Sequence, residues 1–173
     1  WCRKEGRRAR LTGHEAPVEC LLSVATFIAS GSRDACVRLW GEDDPYTLMR
    51  TLPHDAPVHG LIALSDKYMA SGAADAFLRV WSVNDGKPVA KQKVTSSIYS
   101  MQLLPGAAAR VALGCSDGTI EDWVNVTNQE KPPHEVYKDG WKPEGSLVLK
   151  MLGHTSAVRA LALAVSGCRY LVS

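Results

Sequence analysis

Three side chains, His14, Ser30 and Asp34, are of the types that form a hydrolytic triad. In a triad the imidazole takes the proton of the serine hydroxyl, the carboxylate orients the imidazole, and the serine oxygen attacks a carbonyl carbon. Such chemistry also needs an exposed nucleophile, hydrogen-bond donors for the oxyanion and a cleft. The same types return, in the same order, at His54, Ser71 and Asp75. Because periodic recurrence indicates architecture, we predict a structural role for these residues and no catalytic one.

The recurrence belongs to a repeat that runs through the whole 173-residue chain. Its clearest markers are Trp40, Trp81 and Trp123, which are 41 and 42 residues apart. A fixed period of this size predicts stacked supersecondary units. The units are the end of a preceding one at 1–12, repeats at 13–53 and 54–93, a degenerate repeat at 94–153 and the start of a truncated repeat at 154–173. Trp1 is then the closing Trp of the preceding unit, and we expect the chain to be a fragment of a longer protein.

Both complete repeats are rich in β-branched and aromatic residues, which predicts four short β-strands in each. The predicted strands are at 17–24, 27–32, 35–40 and 46–52 in the first repeat and at 58–64, 68–73, 76–81 and 88–94 in the second. Val18, Cys20 and Leu22 fall on one face of the first strand, and we expect that face to be buried. Tight turns are expected at 33–34 and at 84–86, where Asn, Asp and Gly tolerate a positive φ. The sequence therefore predicts an all-β fold.

The degenerate repeat carries an insertion at about 127–144, between its third and fourth strands. Pro132, Pro133 and Pro143 exclude a continuous helix there. The insertion also holds Tyr137 and Trp141, which either bind a partner or pack back on their own sheet. Both alternatives remain open on the sequence alone.

Composition argues against several classes of function. The net charge of +2 gives no reason to expect nucleic acid or an anionic membrane as the main partner. No apolar run is long enough to span a bilayer. The five cysteines are scattered, with no Cys-x-x-Cys pair and no histidine at metal-ligand spacing, so we expect no metal and no cofactor. Their odd number favours a reducing intracellular compartment, cytoplasmic or nuclear.

The first ten residues are basic, with five Lys and Arg against one Glu. Lys and Arg on an outer strand discourage edge-to-edge pairing, so we interpret this segment as the solvated edge of a sheet. The alternative is a segment that binds nucleic acid or phosphoinositide, and such binding would depend steeply on salt.

The repeated motifs resemble those of the WD-repeat family of β-propellers. The residues that carry the resemblance are Gly13-His14 with Leu39-Trp40-Gly41, Pro53-His54 with Val80-Trp81-Ser82, Asp122-Trp123-Val124 and Gly153-His154. The sequence departs from the family pattern in that no Trp is followed by Asp. The resemblance implies four-stranded antiparallel blades, here about three full blades and two partial ones.

The resemblance also implies that each blade is locked by hydrogen-bonded His, Ser, Asp and Trp side chains. By position, these are His14, Ser30, Asp34 and Trp40; His54, Ser71, Asp75 and Trp81; Asp117 and Trp123; and His154 and Ser173. Val94 and Leu113 replace the His and Ser of the degenerate repeat. Since apolar atoms need no hydrogen-bond partner, we expect this blade to be held more by apolar contacts and to be less protected from hydrogen exchange.

Partners of the family usually dock on a shared face formed by loops at one end of the blades. The positions that map to this face are Glu19, Arg33, His59, Ala74, Tyr99, Ser116 and Arg159. Arg and Tyr are common anchors of protein interfaces, so the set suits a peptide segment. The alternative is that these are ordinary solvated residues of the rim.

The resemblance implies a non-enzymatic protein-interaction scaffold with a peptide-binding face and no small-molecule substrate. The short turns at 24–26 and 65–67 are similar to those of propellers that serve as substrate receptors of ubiquitin ligases. A receptor of that kind, attached to an F-box or RING module outside the chain, is therefore the alternative function.

Overall fold

The structure is a computed structural model that describes residues 10–41, 46–105, 110–124, 126, 146–166 and 168–172. The predictions about Trp1, most of the basic segment, the insertion with Tyr137 and Trp141, and Ser173 lie outside the described residues. Within the described ranges the fold is all-β and contains no helix.

The described strands form three four-stranded antiparallel sheets and one two-stranded sheet. Blade 1 contains β1 (Val18–Val24), β2 (Phe27–Ser32), β3 (Cys36–Gly41) and β4 (Leu48–Pro53). Blade 2 contains β5 (Val58–Ala63), β6 (Tyr68–Ala73), β7 (Phe77–Ser82) and β8 (Pro88–Lys93). Blade 3 contains β9 (Ile98–Leu104), β10 (Arg110–Cys115), β11 (Ile120–Val124) and β12 (Ser146–Met151), and the two-stranded sheet contains β13 (Ala162–Ser166) and β14 (Cys168–Val172). Strands that follow each other along a blade are neighbours in its sheet.

The strands lie where the repeat pattern predicts them. In blades 1 and 2 the observed ends differ from the predicted ones by at most two residues. The predicted turns are also present: Gly86 has a φ of +69°, and Ala35 follows the turn at 33–34 with a φ of +60°. The residues equivalent to Ala35 are Ala76 and Gly118, at +61° and +83°. A residue with positive φ between the second and third strands therefore recurs in all three blades, although only blade 3 has a glycine, which favours this conformation, at that position.

Neighbouring blades pack against glycines of the preceding blade's second strand. The contacts are Gly31 with Val58, Gly72 with Ile98 and Gly114 with Val158, where an added Cβ would lie 2.9, 2.5 and 2.8 Å from the facing side chain. Ordinary carbon contacts are about 3.5–4.0 Å, so no side chain fits between the blades at these points. Buried apolar residues fill the rest of the space between blades 1 and 2 and between blades 2 and 3.

The first strand of blade 1 differs from the prediction. Val18 is 48% exposed, whereas the equivalent Val58 of blade 2 is 0% exposed. Cys20 and Leu22 are partly buried. The predicted burial of Val18 is wrong because Val58 is covered by blade 1 at Gly31, and no described blade covers Val18 in the same way.

Candidate functional site

In blade 1 the structure brings together all four side chains of the first predicted set. Trp40 Nε1–H donates a hydrogen bond to Ser30 Oγ at 2.8 Å. Ser30 Oγ also lies 2.8 Å from His14 Nε2, and His14 Nδ1 lies 2.7 Å from Asp34 Oδ2. One tautomer satisfies every contact: the serine hydroxyl donates to Nε2, and Nδ1–H donates to the carboxylate. The four side chains then form one continuous chain of hydrogen bonds.

Asp34 is held in its ionised form by its surroundings. Burial alone would raise the pKa of this carboxyl, but the hydrogen bonds from His14 and from the backbone N–H of Glu15 outweigh burial, and the pKa lies below its ordinary value. The other carboxylate oxygen accepts the backbone N–H of Cys36 at 3.1 Å. Asp34 therefore fixes the turn between β2 and β3 as well as the imidazole.

Ser30, His14 and Asp34 are connected in the order of a hydrolytic triad, but the serine does not have the environment of a nucleophile. Ser30 is buried, and its hydroxyl oxygen already accepts the indole N–H of Trp40. A nucleophile needs access to its substrate and a site for the oxyanion. The geometry therefore supports an internal lock and gives no positive sign of catalysis.

Blade 2 contains a shorter version of the lock. Trp81 Nε1–H donates to Ser71 Oγ, and Ser71 Oγ lies 2.8 Å from His54 Nε2. His54 Nδ1–H then donates to the backbone oxygen of Leu52 at 3.1 Å. Burial lowers the pKa of His54 to about 4, and the hydrogen bond to Leu52 opposes that shift only in part. The imidazole is therefore neutral at physiological pH.

Asp75 does not contact the imidazole of blade 2 as Asp34 does in blade 1. Its Oδ2 lies 2.7 Å from Arg79 Nη2, and the same guanidinium nitrogen lies 2.7 Å from Asp55 Oδ2. Burial alone would raise the pKa of Asp75, but the hydrogen bond and the charge of Arg79 lower it below its ordinary value. The Asp75 carboxylate therefore forms an ion pair with Arg79 of the same blade.

Blade 3 uses a different acceptor, which the repeat pattern does not predict. Val94 and Leu113, at the His and Ser positions, are buried. The indole N–H of Trp123 donates to Glu121 Oε2 at 2.9 Å, and Glu121 is fully buried. Glu121 Oε1 accepts the backbone N–H of Thr95 at 3.2 Å and the hydroxyl of the same residue. One carboxylate therefore connects the indole to the segment before β9, as Ser and His do in blade 1.

Strand register contains the signal that identifies Glu121. Leu113 pairs with Glu121 across β10 and β11, in the same way that Ser30 pairs with Arg38 in blade 1 and Ser71 with Arg79 in blade 2. A glutamate therefore occupies a position that is arginine in the other two blades. Blade 3 combines the expected apolar replacements with this polar link, and its lower protection from hydrogen exchange remains a prediction.

The remaining members of the predicted sets lie apart from the locks. Asp117 accepts the backbone N–H of Thr119 at 3.0 Å and the hydroxyl of that residue at 2.6 Å, and so shapes the turn between β10 and β11. His154 is exposed, and its carbonyl lies against Gly118, where an added Cβ would come within 2.4 Å of the oxygen. The Ser173 assigned to the same set lies outside the described residues.

Three of the predicted face residues are the extra residues of β-bulges. In the pairing of β1 with β2 the register shifts between Val18 and Cys20, which leaves Glu19 as the extra residue. His59 in β5 and Tyr99 in β9 are extra residues at the same place in their blades. A β-bulge redirects a side chain relative to the regular alternation of the strand. Each blade therefore presents one redirected side chain near the start of its first strand.

These three side chains and two arginines form a continuous row. Arg33 Nε lies 2.5 Å from Glu19 Oε1, and Glu19 Oε2 lies 4.0 Å from His59 Nδ1. The His59 ring stacks on Tyr99, with centroids 4.7 Å apart and planes at 17°. Arg159 Cζ lies 5.1 Å from the centroid of the Tyr99 ring. We call Arg33, Glu19, His59, Tyr99 and Arg159 the cross-blade row, because it extends from blade 1 to the segment that follows blade 3.

The other two predicted face residues contribute their backbones. Ala74 N–H donates to the carbonyl of Pro57 at 2.9 Å, and its own carbonyl accepts the hydroxyl of Ser97 at 2.7 Å. Ser116 N–H donates to the carbonyl of Ser97 at 2.9 Å. These bonds attach the turn between the second and third strands of a blade to a segment that precedes a first strand.

His59 is the titratable ring at the middle of the cross-blade row. Burial lowers its pKa, Glu19 raises it, and the positive charges of Arg33 and Arg159 lower it again; the net direction is downward. The imidazole is therefore neutral at physiological pH, and its ring stacks on Tyr99 without a charge of its own.

The described residues include no group of His, Cys, Asp and Glu that could hold a metal ion. In the same residues no helix is long and apolar enough to cross a membrane. Cys20, Cys36 and Cys115 are free thiols, and burial raises the pKa of Cys20 to about 12 and that of Cys115 to about 11. Since the thiolate is the reactive form, these two cysteines behave as small apolar residues of the core.

Comparisons with known proteins agree with this architecture. The family model described as WD domain, G-beta repeat, matches residues 6–41. The crystal structure of the computationally designed Ika4 protein superposes with a TM-score of 0.71 at 22% identity, covering 96% of both chains. The crystal structure of the WD40 β-propeller domain of Doa1 superposes with a TM-score of 0.67 at 18% identity, covering 88% of this chain and 46% of that one. The search of curated proteins gave no match. The matched repeat confirms the resemblance to WD repeats at residues 6–41, and the two superpositions show that the chain has a propeller-like fold of four-stranded blades.

Proposed function

We propose that this chain of WD40-type blades is a non-enzymatic protein-interaction module that binds an extended peptide segment across the cross-blade row. WD40 propeller domains generally act as protein-interaction scaffolds and are typically not enzymes. The observation that carries the proposal is the stack of His59, Tyr99 and Arg159, which joins side chains from three successive units.

The composition of the row suits recognition of a peptide. Tyr and Arg are enriched among the residues that contribute most to binding, because they combine apolar area with polar groups. The stack also reduces the number of rotamers open to Tyr99, so less conformational entropy is lost when a partner binds. Glu19, His59 and Tyr99 belong to first strands held in four-stranded sheets, so the middle of the row is presented by strands rather than by long loops.

The proposal includes a reducing, intracellular compartment. Cys20, Cys36 and Cys115 are unpaired in the described part of the chain. Disulfides form readily in secreted proteins, whereas thiols stay reduced in the cytosol and nucleus. Fractionation of cells that express the chain with an epitope tag tests this part of the proposal, and recovery in the secreted fraction would contradict it.

The proposed peptide site is tested with a display library of random peptides selected on the immobilised chain. We expect recovered peptides to bind the unaltered chain and to lose about tenfold or more in affinity to the Tyr99→Ala variant, since removal of a central aromatic anchor costs about 2 kcal/mol. Fluorescence anisotropy of the labelled peptides measures the change.

Tyr46→Ala is the matched control for this experiment. Tyr46 is exposed and precedes β4, the outer strand of blade 1, away from the cross-blade row. We expect its removal to leave peptide affinity unchanged. Recovery of peptides whose affinity is the same for the unaltered chain and for Tyr99→Ala would show that the peptide site lies elsewhere.

A further inference from the structure

The formal charges along the cross-blade row are unevenly compensated. Arg33 and Glu19 form a close ion pair, with Nε and Oε1 2.5 Å apart, so the charge of each is largely neutralised by the other. Glu19 is also near His59, at 4.0 Å. The blade 1 end of the row therefore presents one cation and one anion together.

The opposite end presents a cation that forms no ion pair with an acidic residue in the described part of the chain. Arg159 is exposed, and its guanidinium lies over the Tyr99 ring. Among the described residues, none of the ion pairs involves Arg159. Contact with an aromatic face orients a guanidinium while its N–H groups stay available for hydrogen bonds in the plane.

We infer that the peptide bound across the cross-blade row carries an acidic side chain, Asp or Glu, whose carboxylate pairs with Arg159. This inference rests on the proposed function and specifies the class of partner. A planar guanidinium matches a carboxylate with two parallel N–H···O bonds, and such charge-assisted bonds are stronger than neutral ones. The carboxylate belongs at the Arg159 end because Glu19 would repel it at the other end.

The number of arginines in the row, as far as the structure describes it, also favours a carboxylate over a phosphate as the bound group. Recognition of phosphorylated side chains typically uses clusters of arginines around the doubly charged group. Arg33, the other arginine of the row, is engaged by Glu19. The row therefore fits an unmodified acidic segment and not a phosphorylated one.

The inference is tested with the same display library, selected in parallel on the unaltered chain, on Arg159→Gln and on Arg159→Glu. We expect Asp or Glu to be enriched at one position of the peptides recovered on the unaltered chain, no enrichment with Arg159→Gln, and Lys or Arg at that position with Arg159→Glu. Because Arg159 is exposed, these variants are expected to fold, which circular dichroism checks. Arg10→Gln, a change to another exposed arginine that lies outside the row, is the control and should keep the acidic preference.

Synthetic peptides then separate the possible sources of negative charge. The enriched peptide with an amidated C-terminus should bind as well as the free acid, and replacement of its acidic residue by Gln or Asn should weaken binding about tenfold. Tight binding of only the free acid would assign Arg159 to a chain terminus and would overturn the inference. A phosphoserine peptide that binds tenfold more tightly than the acidic one would overturn it too.

The outcome also separates this inference from the proposed function. Peptides that depend on Tyr99 but show no acidic enrichment would leave the peptide-binding function standing and refute the role of Arg159. If no peptide depends on Tyr99 or on Arg159, both are wrong.

Discussion

Glu121 shows that the buried Trp of a blade can donate its hydrogen bond to a different type of acceptor. In blades 1 and 2 the indole N–H of the recurring Trp donates to a serine hydroxyl, and in blade 3 it donates to this carboxylate. A carboxylate accepts hydrogen bonds on both oxygens, so it serves Trp123 and Thr95 at once. The serine position is then free to be Leu113, which needs no partner.

The Glu121→Ala substitution should destabilise the chain substantially. It leaves a buried indole N–H and the Thr95 backbone N–H without their acceptor, which costs about 1–3 kcal/mol for each group that finds no other partner. Chemical denaturation measures the loss. Glu121→Gln keeps an acceptor oxygen for either Trp123 or Thr95 and should cost less; equal losses for both variants would mean that packing, not hydrogen bonding, is what Glu121 provides.

His54 should make the free energy of unfolding depend on pH between about 4 and 6.5. Its pKa is about 4 in the folded chain and about 6.5 in the unfolded chain. Between these values the unfolded chain binds a proton that the folded chain does not, so stability is full above pH 6.5 and falls as the pH decreases to 4. The full loss is about 3 kcal/mol. Asp34 and Asp75 lose their contributions only at lower pH, because their pKa values lie below the ordinary value of 3.8.

The measurement for His54 is the free energy of unfolding at a series of pH values between 7 and 4. His54→Gln keeps an amide N–H and an oxygen but does not titrate, so its stability should vary less over this range. A variant whose stability falls with pH as steeply as that of the unaltered chain would show that another group is responsible.

Glycines on second strands determine how closely the blades approach each other. At Gly72 an added Cβ would lie 2.5 Å from Ile98 Cγ2 and 2.8 Å from Met101 Sδ. Gly72→Ala should therefore force blades 2 and 3 apart at a cost of about 1–3 kcal/mol, as other overpacked cores do. Gly153→Ala is the control, because nothing lies within 4 Å of its added Cβ. A thermal shift that is the same for both variants would contradict this role of Gly72.

The sequence predicts those parts of the structure that depend on residues recurring in successive repeats, and it does not predict the others. Strands, turns and the hydrogen bonds of blade 1 depend on residues that recur at one spacing, so comparison of the repeats locates them. The repeat pattern does not predict Glu121, because the positions of Ser and His in this blade hold apolar residues and the new acceptor lies on the neighbouring strand. The contacts of Arg159 with Tyr99 depend on how far apart successive blades are, and a linear pattern does not contain that distance.

At the scale of the whole molecule, the stability of each blade depends on how many of its faces are covered. Stacked repeats gain much of their stability from interfaces with their neighbours. Blade 2 lies between blades 1 and 3, and Leu61 of its first strand is 9% exposed; the equivalent Leu21 of blade 1 is 69% exposed. Leu61→Ala should cost about 2–5 kcal/mol, as is usual for buried leucine, and Leu21→Ala about 0.5 kcal/mol or less. Hydrogen exchange should accordingly be faster in β1 and β2 than in β5 and β6, as measured by mass spectrometry of the unaltered chain. Equal costs of the two substitutions, together with equal exchange, would show that another surface covers Leu21 in solution.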